Sequence, residues 1–411
     1  MTHGGSDTEH GVTVTVAEAH AHILSRVRRL SAEDVPLGDA RGRVLAAAVV
    51  AATPVPPFAN SAMDGYAVRA ADIAGATHTH PARLRVVSTV AAGDTATRAI
   101  TGGEAARIMT GAALPEGTDA VVPAEETDRG AEAVAVWVAT RAGGHIRRAG
   151  EELAAGATAL PEAARITPGA IGLLASLGMT RVSVTRRPRV AILSTGNELV
   201  PSGTTPGPGQ IADANGPLLT ALVAQYGGEP VPLGVVRDDP AAVAAALATV
   251  PDADFALTSG GASVGLFDVV RPFLVAHGTV DFTRVRMRPG QPCAAGVFRG
   301  VPFLALPGNP GAAFVTFHIL ARPALARLCG VTPELPTALP ARLRSALHTH
   351  GGRDTYVRAR LFATANGWVA DTALRQSVGG LPALAITDAL VRAPADAPDL
   401  PAGAVVDIFP L

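Results

Sequence analysis

The chain reads as an α/β plus β protein. It has a central parallel α/β unit, an inserted mostly-β unit, an N-terminal mixed unit and a C-terminal β unit. Three observations predict this. Strand-like and helical runs alternate between residues 189 and 330. Short β-type runs broken by Gly, Asp and Pro fill 67–138 and 332–411. A length of 411 residues exceeds one ordinary core and points to about two to four domains.

In chain order, residues 16–30 have helical apolar spacing behind a capping-box pair, Thr15 with Glu18, and a short strand or connector follows Asp34. Pro54, Pro56 and Pro57 make 51–58 an extended linker. The runs 84–90, 120–122 and 134–138 belong to the β insertion, which ends near Gly144. A helical pattern at 168–178 then leads to the basic connector Thr185-Arg186-Arg187-Pro188. Strands are expected at 190–193, 231–236, 255–258 and 303–306, and helices at 217–226, 240–248, 269–277 and 311–328. The division that follows is 12–55 with 146–187, 56–145, 188–330 and 331–411.

The formal net charge is −1, so no global basic field exists to hold nucleic acid or an anionic membrane surface. All 34 basic residues are arginines, which reads as base-composition bias. The two cysteines, Cys293 and Cys329, form no Cys-x-x-Cys pair, which speaks against a disulfide framework or structural zinc. Residues 1–11 lack a signal-peptide core and no apolar run reaches membrane-spanning length, so a cytoplasmic protein is expected.

Three strand-to-loop-to-helix transitions carry the chemistry. Leu257-Thr258-Ser259-Gly260-Gly261-Ala262-Ser263 breaks an apolar run into glycine and hydroxyl residues. Pro307-Gly308-Asn309-Pro310 does so after 301–305, and Ser194-Thr195-Gly196-Asn197-Glu198 after 190–193. Backbone N–H groups at such turns hold phosphate without basic side chains. No Walker spacing and no Gly-x-Gly-x-x-Gly in its proper context occurs, so ordinary ATPase and Rossmann readings lose support. In parallel α/β sheets these loops fall at the ligand-binding edge. No histidine partners Ser194, Ser259 or Ser263 in a recognised motif, which disfavours a Ser-His-Asp triad.

These pieces, together with Asn60-Ser61-Ala62-Met63-Asp64-Gly65-Tyr66, Ile108-Met109-Thr110-Gly111-Ala112, Ile146-Arg147-Arg148-Ala149-Gly150-Glu151, Gly209-Gln210-Ile211 and Arg237-Asp238-Asp239-Pro240, resemble the molybdopterin molybdotransferase family from about Ala17 to the C-terminus. The resemblance implies an elongated homodimer with a cleft shared between subunits. It implies insertion of molybdate into adenylylated molybdopterin with loss of AMP, dependent on Mg2+, as the last general step of molybdenum cofactor biosynthesis. The adenylyltransferase that prepares the substrate and molybdoenzyme acceptors become candidate partners.

Carried over residue by residue, the resemblance makes Asp64, Glu198, Asp238, Asp268 and Arg288 catalytic, with Glu198, Asp238 and Asp268 around the metal. Thr110, Arg147, Glu152, Ser194, Thr195, Gly196, Ser259, Gly260, Gly261, Ser263, Arg284, Pro307, Gly308, Asn309 and Pro310 form the substrate cradle, and Arg358 and Ser377 hold molybdate. Pro307 and Pro310 shape their loop rather than donate. Arg284, Arg288 and Gln291 stand where the family usually has lysines, Glu152 where it has Asp, and Gln376-Ser377-Val378-Gly379 departs from its Gln-Gly-Ser-Gly. Taken singly, Glu198, Asp238 and Asp268 also read as helix caps. Two alternatives stay open: the related adenylyltransferase, which needs only the α/β unit, and a non-catalytic pterin-binding scaffold.

Overall fold

Alternate residues of the strand Arg189–Thr195 go to opposite faces of the central sheet: Val190 and Ile192 enter one apolar cluster, Ala191 and Leu193 another. A strand buried on both faces reads as a continuous apolar run, which is why this region carries no polar alternation. The computed structural model describes residues 12–248, 252–260, 270–331, 338–349, 351–377 and 379–411. In it, Arg189–Thr195 lies between Glu229–Val236 and Phe255–Ser259, and Val301–Leu306 follows, all four parallel. Pro292–Phe298 and Thr279–Val285 extend this sheet antiparallel, and Thr13–Val14 closes its edge.

The helix Asn215–Gln225 starts two residues before its expected position. Asp213 Oδ1 accepts the backbone N–H groups of Asn215 and Gly216, each at 3.0 Å, so the turn before Pro217 already has helical partners. The expected helix at 311–328 is Pro310–Thr316 and Arg322–Leu328 joined through a π-turn, Phe317–Ala321. Pro323 has no N–H to give Ile319 O, and His20 Nε2 stands 2.6 Å from that oxygen as the donor.

His20 belongs to the helix Val16–Arg26, which begins with the expected capping box: Thr15 Oγ1 accepts from Glu18 N and Glu18 Oε2 from Thr15 N. Its stripe Val16, Ala19 and Ile23, with Val27, packs into the α/β core beside Phe282, Leu320 and Leu325. The start of the 12–55 segment therefore packs with the α/β unit and not with 146–187. The mixed body instead forms where Ala32–Pro36 pairs with Arg181–Thr185 and Val49–Val50 with Thr158–Leu160, over a core that includes Leu45, Ile166 and Leu174.

Between those two stretches a five-stranded sheet is inserted, in the order Ala120–Pro123, Gly65–Val68, Glu104–Ile108, Ala82–Val90, Ala133–Val136. At the C-terminus Asp354–Thr364, Gly367–Asp371, Leu339–Leu343, Val405–Pro410 and Ala389–Ala393 pair in that order, and the last pairs back to the first, closing a small barrel. Met287–Arg288 runs alongside Asp354 and Thr355 and ties the barrel to the α/β sheet. No helix among the described residues is long and apolar enough to cross a membrane.

Candidate active site

The registers Thr195↔Val236, Ser194↔Ser259 and Ser259↔Leu306 bring the C-terminal ends of the four parallel strands to one edge. The loops Gly196–Glu198, Arg237–Asp238 and Pro307–Asn309, with Gly260, therefore share a rim. Their backbones nearly touch. Gly260 has φ +93°, and a Cβ there would stand 2.3 Å from Thr195 O; one on Gly308 would stand 3.5 Å from Gly260 Cα. At Gly260 a side chain would have both strain and a clash against it.

Asn215 pins this rim from below. Its Nδ2 donates to Ser259 Oγ at 2.6 Å and to Gly308 O at 2.7 Å, joining two loops that the sequence holds 49 residues apart. Sequence reasoning missed it; the signal was Asp213-Ala214-Asn215-Gly216, an Asx-type helix start. Ser194 Oγ, Thr195 Oγ1 and Asn215 Oδ1 are buried with no hydrogen-bond partner among the described residues. Buried polar atoms rarely stay unpaired, so their clustering at the ligand-binding edge marks a site suited to a polar group.

Two expected acids stand on this rim. A Cβ on Gly196 would meet Glu198 Oε2 at 2.7 Å, so the exposed Glu198 carboxylate folds back over its own loop. Asp238 and Asn197 clasp each other: Asn197 N donates to Asp238 Oδ2 at 3.2 Å and Asp238 N to Asn197 Oδ1 at 3.3 Å. Asp268, Gly261 and Ser263 lie outside the described residues.

A cleft of about 390 Å3 continues from the rim to the C-terminal barrel, lined by Arg288, Pro307, Asn309, Arg353, Arg358 and Gln376 among others. Gly290 holds its wall: at φ +106° a Cβ would stand 2.3 Å from Thr316 Oγ1. Arg353 Nη1 donates to Gln291 Oε1 at 2.6 Å. Arg284 is not among the lining residues; it sits in its strand opposite Thr13 and Pro292.

Arg358, expected from the sequence to hold molybdate, already has partners within the barrel. It is 3% exposed, and its Nη2 donates to Arg375 O and Ser377 O, both at 2.9 Å, with Nη1 3.5 Å from Gly380 O. The guanidinium is largely spent on the backbone of the loop that carries Ser377. Arg288 is exposed, and among the described residues it has no ion pair.

The remaining candidates form a second group on the inserted sheet. Asp64 Oδ1 accepts from Thr110 N and Thr110 Oγ1, both at 2.7 Å, and these bonds, the backbone one first, hold the exposed carboxyl below its ordinary range. Arg147, opposite Asn60 in the two-residue ladder with Asn60–Ser61, pairs with Glu152 and with Glu151 at 3.3 Å. Among the described residues no hydrogen bond or ion pair joins this group to the rim of the α/β sheet.

Family models cover most of the chain: MoeA N-terminal region (domain I and II) matches 14–178, the probable molybdopterin binding domain 191–327, and MoeA C-terminal region (domain IV) 340–411. The chain is 39% identical over 355 residues to molybdopterin molybdenumtransferase 2 of Mycobacterium tuberculosis, covering 84% of this chain and 87% of that one. It is 38% identical to the molybdopterin molybdenumtransferase of a Nostoc species, over 79% of this chain and 76% of that one. The crystal structure of a molybdopterin biosynthesis MoeA protein from Pyrococcus horikoshii superimposes with a TM-score of 0.86 at 28% identity, covering 97% of this chain and all of that one. The chain belongs to the MoeA family of molybdopterin molybdotransferases.

Proposed function

We propose that this chain inserts molybdate into adenylylated molybdopterin and releases AMP, in the last general step of molybdenum cofactor biosynthesis. The observation that carries the reading is the rim: backbone in close approach, the carboxylates Glu198 and Asp238, and buried hydroxyls that have no partner among the described residues, all at the C-terminal ends of parallel strands. Full-length relatives named for this transfer support it, and the flanking β units disfavour an adenylyltransferase of α/β unit alone.

In this reading the backbone loops 194–196, 259–260 and 307–309 receive the phosphates and pterin, while Arg288 and Arg353 supply positive charge from the barrel side. An oxygen from molybdate or water attacks the adenylyl phosphorus and the phosphoanhydride bond to molybdopterin breaks, leaving the terminal phosphate on molybdopterin. The attacking oxygen departs on AMP, its Mo–O bond broken where molybdate supplied it, and the dithiolene sulfurs bond to molybdenum as displaced molybdate oxygen leaves as water with the thiol protons. Arg358 acts as a positioning residue, holding the loop of Ser377 in place. Glu198 and Asp238, with Asp268 outside the described residues, are the acids that would hold Mg2+, a hard ion commonly held by one or two carboxylates with substrate phosphates and water completing its shell. Bound there, the ion would neutralise charge on the phosphate.

In this reading Asp64, Thr110, Arg147 and Glu152 complete the cleft from a second subunit; among the described residues no hydrogen bond or ion pair ties them to the rim of their own chain. The protein then works as a homodimer in the cytoplasm, taking substrate from an adenylyltransferase and giving product to molybdoenzymes. The division into units 12–55 with 146–187, 56–145, 188–330 and 331–411 fits this assignment, apart from the first helix, which packs on the α/β sheet.

Molybdate-dependent AMP release from adenylylated molybdopterin, with magnesium present, tests the reading. Release that requires molybdate supports it; tight binding with no release would leave a scaffold.

A further inference from the structure

A second cationic pocket, of about 210 Å3, lies where the mixed body meets the α/β unit, behind the sheet's ligand-binding edge. Arg41, Arg43, Arg165, Arg186 and Arg187 line it, and no carboxylate does. Two of these charges are matched: Arg43 pairs with Glu33, and Arg186 holds Asp254 in a bidentate pair at 2.6 and 2.7 Å. Arg41, Arg165 and Arg187 have no carboxylate partner among the described residues.

These arginines line one pocket wall with Cys329. Burial pushes the Cys329 thiol up to about 11, and Arg165, Arg43 and Arg187 each pull it back, so these three lie within electrostatic reach of it. The C-terminal end of the helix Asn215–Gln225 also reaches this wall, through Ala224, Gln225, Tyr226 and Gly227. Its partial charge of roughly −0.5 opposes an anion but is small against three unmatched guanidiniums. Arginine forks suit the paired oxygens of phosphate.

We propose that this pocket binds a free multivalent oxyanion of the phosphate class, inorganic phosphate or diphosphate. Bound, the anion bridges Arg41 and Arg165 of the mixed body to Arg187 on the connector into the α/β strand, and so fixes the joint between the two units. The site is separate from the cleft at Arg288 and does not depend on the reaction assigned there.

The test is calorimetric titration of the full chain with inorganic phosphate, diphosphate and AMP at constant ionic strength, alongside thermal unfolding. Wild type, Arg165→Ala/Arg187→Ala, Arg41→Ala and the cleft variant Arg288→Ala are compared. Diphosphate binding that weakens tenfold or more in the double variant, weakens in Arg41→Ala, and persists in Arg288→Ala supports the site. The same anion should raise the unfolding midpoint of wild type and Arg288→Ala but not of the double variant. Binding that is unchanged in the double variant, or lost only in Arg288→Ala, overturns it. AMP binding more tightly than diphosphate at the same arginines would make the ligand a nucleotide and overturn the assignment to a free oxyanion. Because Arg41, Arg165 and Arg187 are exposed, Arg41→Ala and Arg165→Ala/Arg187→Ala should fold and keep AMP release, which checks that any loss is local.

Discussion

The rim of the parallel sheet and the polar patch on the inserted sheet are both candidate halves of one cleft, and they are built on opposite plans. The rim has a buried floor, Ser194, Thr195, Asn215 and Ser259, beneath exposed loops; it is assembled from four strands spread over more than a hundred residues, and its hydroxyls at Ser194 and Thr195 have no partner among the described residues. The patch is exposed and already satisfied: Thr110 holds Asp64, and Arg147 is occupied by Glu151 and Glu152. A rim in that condition is preorganised for a ligand, which is where enzymes gain most of their electrostatic stabilisation. A satisfied patch keeps its charges in fixed orientation and contributes once it is brought against the rim.

The sharpest way to break the contrast is at the rim. Asp238→Ala should lower AMP release about 100-fold or more, the scale of removing one preorganised charge-stabilising group. Steady-state release with intact substrate binding checks it; near-normal turnover would show that the rim acids are not where the chemistry happens.

Arg358→Ala should act mainly through stability. It strips charged hydrogen bonds from the carbonyls of Arg375 and Ser377, and a loss of about 3 kcal/mol in denaturant unfolding is expected. Arg288→Ala should change stability by less than about 0.5 kcal/mol while weakening turnover, because Arg288 is exposed with no ion pair among the described residues. Equal effects from the two would dissolve the distinction between a positioning arginine and one facing substrate.

Asn215→Ala should cost about 2 kcal/mol, since Ser259 Oγ and Gly308 O lose a shared buried donor. It should also raise KM more than it lowers kcat, as the two loops separate.

The same contrast explains what could be read from the chain beforehand. Strand-to-loop transitions such as 194–198 and 307–310 are local, with glycine, proline and hydroxyl residues following an apolar run, so their place at the sheet edge was legible. Asn215 was legible only as part of a helix start, Asp213-Ala214-Asn215-Gly216, because the partners that give it its role lie 44 and 93 residues away. For Arg358, residue type announces a donor, while only the fold shows that the carbonyls of Arg375 and Ser377 take up its guanidinium. The helix Val16–Arg26 was legible as a helix from its capping box, yet its packing on the α/β sheet depends on Phe282 and Leu320, which no local pattern connects to it.

The smallest effect concerns pH. Thr110 lowers the Asp64 pKa in the folded state, so Asp64 stays ionised below the ordinary value of 3.8, and the stability it adds is present above that value and lost as pH falls through the lower folded one. Thr110→Val should therefore move any acid limb of activity that depends on ionised Asp64 to higher pH, with little change at neutrality. An unmoved limb would mean that Asp64 does not set it.

The most direct test of the account is to mix two dead variants. Asp64→Ala and Asp238→Ala chains are co-expressed, and AMP release is measured with magnesium and molybdate. If the patch of one subunit completes the rim of the other, each mixed dimer regains one intact cleft, and activity returns to about a quarter of wild type for random pairing. Activity no higher than that of the single variants would contradict a shared cleft and return both halves to one chain.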